Sequence, residues 1–115
     1  MNSKHSYKMA VVGPHGVTSL FKSTGAAVFI AETGESALTV LRNLRKETSN
    51  GKTKYAVIFL AEKLRKEMRD DDFSRVSAGV LPAVVVIPGA EGGSGEAHRN
   101  LRKLAERAVG MDVLK

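Results

Sequence analysis

The chain has 115 residues, 43% of them apolar, which is enough for one hydrophobic core and too little for two. It contains no cysteine, which excludes disulfide frameworks and thiolate metal sites and fits a reducing compartment. Lys and Arg outnumber Asp and Glu by 18 to 12, giving a net charge of +6 that favours acidic partners, nucleic acid or anionic lipid without selecting among them. The stretch Met1 to Lys8 is polar, and no segment approaches the ~20 apolar residues needed to span a bilayer, so any membrane association is expected to be indirect.

The first element is a buried strand over Tyr7 to Val12, stopping at Gly13. Val17, Leu20 and Phe21 have one-turn spacing and Gly25 offers a left-handed helix end, so a short helix joins it to a second strand over Ala27 to Ala31. Thr33 caps a helix whose apolar face is Ala37, Val40, Leu41 and Leu44, with Glu35 in its first turn and Arg42, Arg45 and Lys46 towards its last. Thr48 to Lys54 reads as a polar loop.

Tyr55 to Leu60 is the clearest buried strand, continued through Ala61, Leu64 and Met68 into a short charged helix. Asp70 to Gly79 is irregular, with Asp70, Asp71 and Asp72 as a solvated turn. Leu81-Pro82 restarts an extended chain, and Ala83 to Ile87 is a fourth strand closed by Pro88-Gly89. The segment 89–95 holds four glycines and forms a joint. A helix from Glu96 to Val109 follows, capped by Ser94. Strands alternating with helices, each strand apolar along its length, imply an α/β fold with a small doubly wound four-stranded parallel sheet, of Rossmann-like or response-regulator-like topology, plus a C-terminal amphipathic helix. The organisation expected is a sheet domain over 1–88, the joint over 89–95, and a docking helix and tail over 96–115.

No set of residues assembles catalytic chemistry. Gly13-Pro14-His15-Gly16 lacks the G-x-G-x-x-G spacing, and His15 stands where a second glycine would let backbone approach a pyrophosphate. Gly51-Lys52-Thr53 resembles the end of a phosphate loop but has Lys46 where that motif needs glycine, and it precedes a strand instead of following one. A phosphorylated signalling domain would need clustered carboxylates at the ends of its first and third strands, where this chain has Gly13 and Leu60-Ala61-Glu62. His5, His15 and His98 fall in separate segments without ligand-like spacing. The expectation is therefore no catalytic, cofactor-binding or metal-binding residue.

In the last helix Ala97, Leu101, Leu104, Ala105 and Ala108 form one narrow, alanine-rich stripe, with Arg99, Arg102, Lys103 and Arg107 on other faces. That stripe can be buried on the chain's own sheet or on the helices of another protein, and the pattern alone leaves both open. RNA binding through the basic charge is the competing use. It is disfavoured because Tyr7, Phe29, Tyr55 and Phe59 lie in expected buried strands, leaving mainly Phe21 and Phe73 for stacking.

Four stretches carry a family resemblance. They are Lys8-Met9-Ala10-Val11-Val12-Gly13, then Tyr55 through Glu62, then Leu81 through Pro88, and the closing Ala105-Glu106-Arg107-Ala108-Val109-Gly110-Met111-Asp112-Val113-Leu114. In order and spacing the chain resembles the F subunit of the V-type (A-type) rotary ATPases. The resemblance implies a non-catalytic part of the central stalk, without cofactor, that binds the coiled-coil helical hairpin of the D subunit and turns with it. It thereby couples ATP synthesis or hydrolysis in the head to ion transport through the membrane ring. It also implies a peripheral place on the cytoplasmic side of a membrane-bound complex. By that analogy Ala97, Leu101, Leu104, Ala105 and Ala108, flanked by Arg99 and Arg102, meet the D subunit.

Overall fold

The structure, a computed structural model, describes residues 7–49 and 51–88. Along these residues run β1 (Lys8–Gly13), α1 (His15–Thr18) continuing as a 3-10 helix (Ser19–Thr24), β2 (Ala27–Ile30), α2 (Gly34–Lys46), β3 (Thr48–Ser49), β4 (Lys52–Thr53), β5 (Tyr55–Ala61), α3 (Glu62–Lys66), α4 (Asp70–Val76) and β6 (Ala83–Ile87). β1, β2, β5 and β6 form one parallel sheet in the order β2-β1-β5-β6, while β3 and β4 pair as a separate antiparallel hairpin. The four expected sheet strands, their parallel pairing and the doubly wound order are thus all present. The expected joint at 89–95 and helix at 96–109 lie outside the described residues.

The connection β1 to β2 steps one way across the sheet, whereas β2 to β5 and β5 to β6 step the other way. Right-handed crossovers therefore place α1 and the 3-10 helix on one face and α2, α3 and α4 on the opposite one. Register fixes which side chains each layer covers. Val28, Val11, Phe59 and Val85 are lateral neighbours across the four strands and share a face. The Phe21 ring on the 3-10 helix lies 5.6 Å from that of Phe59, which identifies this face as the one under α1. The alternate row Phe29, Val12, Leu60 and Val86 faces the α2 side.

β1 and β5 are central and the core centres on them, with Ala10, Val11, Val12, Ile58 and Leu60 fully buried. α2 contributes Ala37, Leu38, Leu41 and Leu44, and α3 contributes Leu64. Val40, expected on the apolar face of α2, is only partly buried, and Leu38 takes the inward place instead. The 3-10 helix ends where Gly25 adopts φ 90°, a left-handed conformation that glycine occupies at little cost.

Three expectations are corrected. The stretch 48–54 is not a plain loop: Thr48 pairs with Thr53 and Ser49 with Lys52, so it forms a short hairpin. The irregular stretch from Asp70 begins as the helix α4 through Val76. Its three aspartates occupy the first turn, where the helix dipole favours negative charge, so they start a helix and are not a solvated turn. Phe21 is buried against Phe59, and Phe73 packs under the Arg65 guanidinium at 4.2 Å, so neither ring is free to stack on a base.

Candidate docking surface

In a doubly wound sheet, ligands bind beyond the carboxyl ends of the strands, where the chain direction across the sheet reverses, between β1 and β5. Here that crevice is filled by the protein's own groups. Gly13, ending β1, lies so close to β5 that a Cβ placed on it would sit 3.0 Å from the Ala61 Cβ. Pro14 follows and lacks an N–H that a phosphate could use. The first N–H of α2, from Gly34, donates to Oε1 of Glu67 at 2.7 Å, so a side-chain carboxylate already occupies the helix N-terminus.

Thr33 and Ser36 cap the same helix start. The Thr33 hydroxyl accepts from the Ser36 N–H at 3.1 Å, and the Thr33 N–H donates to the Ser36 hydroxyl at 3.3 Å. Among the described residues no cluster of three His, Asp or Glu side chains could hold a metal ion. His15 sits at the same edge, exposed, with its N–H directed to Glu32 at 3.4 Å.

The surface features that stand out lie elsewhere. Among the described residues β6 is an edge strand, and its apolar run is exposed on both faces, with Val85 39% and Val86 38% accessible. Sequence reading missed this because a run of five apolar residues looks the same in a central strand and an edge strand. The available signal was proline: Pro82 and Pro88 bracket the strand, and proline in sheets is confined largely to edges and strand ends. The chain leaves β6 at Pro88, so the segment expected to dock departs from this strand. All the residues assigned to docking, Ala97, Arg99, Leu101, Arg102, Leu104, Ala105 and Ala108, lie outside the described residues.

At the opposite edge, where the strands begin, the topology collects basic side chains. The Lys8 N–H donates to the Lys54 carbonyl at 2.9 Å, and the Lys54 N–H to the Glu47 carbonyl at 3.1 Å. These bonds bring the starts of β1 and β5 and the end of α2 together, with Lys46 one residue before Glu47 and Lys52 two residues before Lys54. Lys54 Nζ bonds Glu47 Oε1 at 3.2 Å and lies 5.5 Å from the centroid of the Tyr55 ring. The hydrogen bond that the Lys54 ammonium donates to Glu47 raises it above the usual lysine range, while burial raises the Tyr55 hydroxyl above the usual tyrosine range.

The geometry defines a small doubly wound α/β domain whose strand-end crevice holds the close Gly13–Ala61 approach and the Glu67 carboxylate on the start of α2. The chain belongs to the family of the ATP synthase (F/14-kDa) subunit, whose family model matches residues 9–105. It is 30% identical to the V-type ATP synthase F subunit of Fusobacterium nucleatum over 96% of this chain and 99% of that protein. It is 32% identical to the V-type ATP synthase F subunit of Clostridium perfringens, covering 93% and 95% of the two chains. The A-type ATP synthase F subunit of Methanothermobacter thermautotrophicus is 28% identical over 96% of this chain and 99% of its own length.

Proposed function

We propose that the protein is a non-catalytic rotor component in the central stalk of a V/A-type rotary ATPase. The observation that carries this reading is the end-to-end match to F-subunit relatives, which runs through the sheet domain and on to residue 105. In this reading the described domain is a rigid platform, and residues 96–109 lie against the helical hairpin of the D subunit. Leu101, Leu104, Ala105 and Ala108 pack between helices there, Ala97 begins the stripe, and Arg99 and Arg102 flank it.

Small side chains suit this role because they let helix axes approach closely and present a continuous apolar seam. The protein then turns with its partner and contributes to torque transmission between the ATP-processing head and the ion-translocating ring, on the cytoplasmic side of the membrane. The hydrolytic chemistry belongs to other subunits.

The test is binding of the purified D subunit to the full-length chain, to a chain ending at Gly92, and to the full-length double variant Leu101→Asp/Leu104→Asp. Loss of binding in both altered forms is expected. Undiminished affinity of the truncated chain would sink the assignment of the docking helix while leaving family membership intact.

A further inference from the structure

Part of the basic excess of this chain, four of its 18 Lys and Arg residues, has a location in the fold that family membership does not assign. In a parallel sheet every strand begins at one edge, and the preceding helices end there. That edge collects Lys8 from the start of β1, Lys46 from the end of α2, Lys52 from β4 and Lys54 before β5. Glu47 is the acid interleaved with them, and it is engaged by Lys54. Among the described residues Lys8, Lys46 and Lys52 make no ion pair, and all three are exposed.

A second, independent feature adjoins the first. Val80 and Leu81 lead into β6 at the same edge, and they are 85% and 40% exposed. The loop that carries them is tied to α2, because Arg45 Nη1 donates to the Val76 carbonyl at 2.9 Å. Two exposed apolar side chains at the same edge as several cations have the composition of a protein interface with a polar rim.

We propose that this edge, with Lys8, Lys46 and Lys52 beside Val80 and Leu81, is a second docking surface that receives a carboxylate-rich surface of another protein in the assembly. The occupant is a protein and not nucleic acid, because of the two aromatics at this edge Tyr55 is 3% exposed and Tyr7, before Lys8, is half-buried and already engaged within the chain, so neither offers an open ring to a base. It is a protein and not a lipid surface, because the relatives are subunits of a multi-subunit synthase and two exposed apolar residues offer little to insert into a bilayer. Charges disposed this way steer encounter and fix orientation more than they add affinity. The proposal rests on membership in the synthase family and not on which partner residues 96–109 meet.

The experiment is zero-length carbodiimide cross-linking of the intact ATPase complex, followed by peptide mapping. It is paired with incorporation kinetics of the full-length chain into complex that has been stripped of it. Cross-links from Lys46 or Lys52 to Asp or Glu of another protein in the complex are expected. The variant Lys46→Glu/Lys52→Glu should incorporate about tenfold more slowly at low salt, with the difference vanishing at high salt. Its melting temperature should match the wild type because both side chains are in solvent.

Cross-links confined to residues 96–115, with unchanged incorporation by the variant, would overturn the proposal and leave the stalk assignment standing. Charge-dependent sedimentation with phosphatidylglycerol vesicles, or salt-sensitive retention on RNA, in the absence of edge cross-links, would overturn it in favour of those ligands. Failure of the chain to enter the complex at all would instead count against the stalk reading.

Discussion

β5 and β6 are neighbours in the sheet and nearly indistinguishable as sequences, Tyr55 to Ala61 and Ala83 to Ile87, yet they live in different environments. Leu60 and Val86 sit side by side in register on the same face, one with 0% and the other with 38% of its surface accessible. β5 is flanked on both sides by strands and covered by helices on both faces. β6 has one strand neighbour and a thin helical cover among the described residues. The comparison teaches that an apolar run reports what a segment can bury, whereas its place in strand order decides what it does bury. In this protein the surplus falls on β6, the last strand of the described sheet.

The sharpest way to break that comparison is to truncate the two neighbours separately. Leu60→Ala should cost about 2 to 5 kcal/mol, because it removes a fully buried side chain from a site bounded by β1, β6 and α2 that cannot collapse. Val86→Ala should cost less than about 1 kcal/mol, as expected for a partly solvated position. Urea denaturation of both variants measures the difference. Equal losses would mean that β6 is as much a core strand as β5 in solution.

A smaller effect is expected at the junction of α2 and α3, which holds the other side of the central strands. A Cβ on Gly34 would lie 2.7 Å from the Glu67 Cβ and 3.0 Å from the Glu67 backbone. Gly34→Ala should therefore destabilise by about 1 to 3 kcal/mol through overpacking. Glu67→Ala should lose only the carboxylate bond to the Gly34 N–H, about 1 kcal/mol. The double variant should not recover, because the obstructing atoms are Cβ and backbone and remain in place. Recovery in a thermal melt would show that the junction is loose enough to shift.

How much of this was legible in the sequence follows from the range of each interaction. The four sheet strands, the Thr33 cap and the Gly25 terminator are local, set by neighbours within a turn or two of chain, and they stand within a residue or two of where the pattern puts them. The Ser36 half of the cap was not foreseen, since serine at that position replaces the usual Glu or Gln. The helix beginning at Asp70 was obscured because consecutive acids resemble a solvated run until the helix they start is recognised. Strand order, the exposure of β6, the Glu67 contact 33 residues from Gly34 and the gathering of lysines at one edge are long-range, and periodicity carries no information about them. The residues proposed to dock are legible only as an amphipathic stripe and through likeness to a family.

The smallest expected effect is alkaline, and it tests whether the basic edge is coupled to the core beneath it. Tyr55 is raised mainly by burial, and Lys54 mainly by its hydrogen bond to Glu47. For both groups the unfolded chain gives up its proton at a lower pH than the folded chain does. Their contribution is therefore complete below the ordinary values and is lost as pH climbs through the folded ones. Stability should hold from neutrality to about pH 9 and then decline beyond about pH 10, where these groups ordinarily titrate.

Tyr55→Phe keeps the buried ring and removes the ionisable hydroxyl, so it should flatten most of that decline. Lys54→Gln should flatten little, because its ammonium is in solvent and exposed pairs contribute weakly. Melting temperatures of the three proteins between pH 8 and 11 would measure this. An alkaline limb unchanged by Tyr55→Phe would show that burial of the Tyr55 hydroxyl does not set the decline.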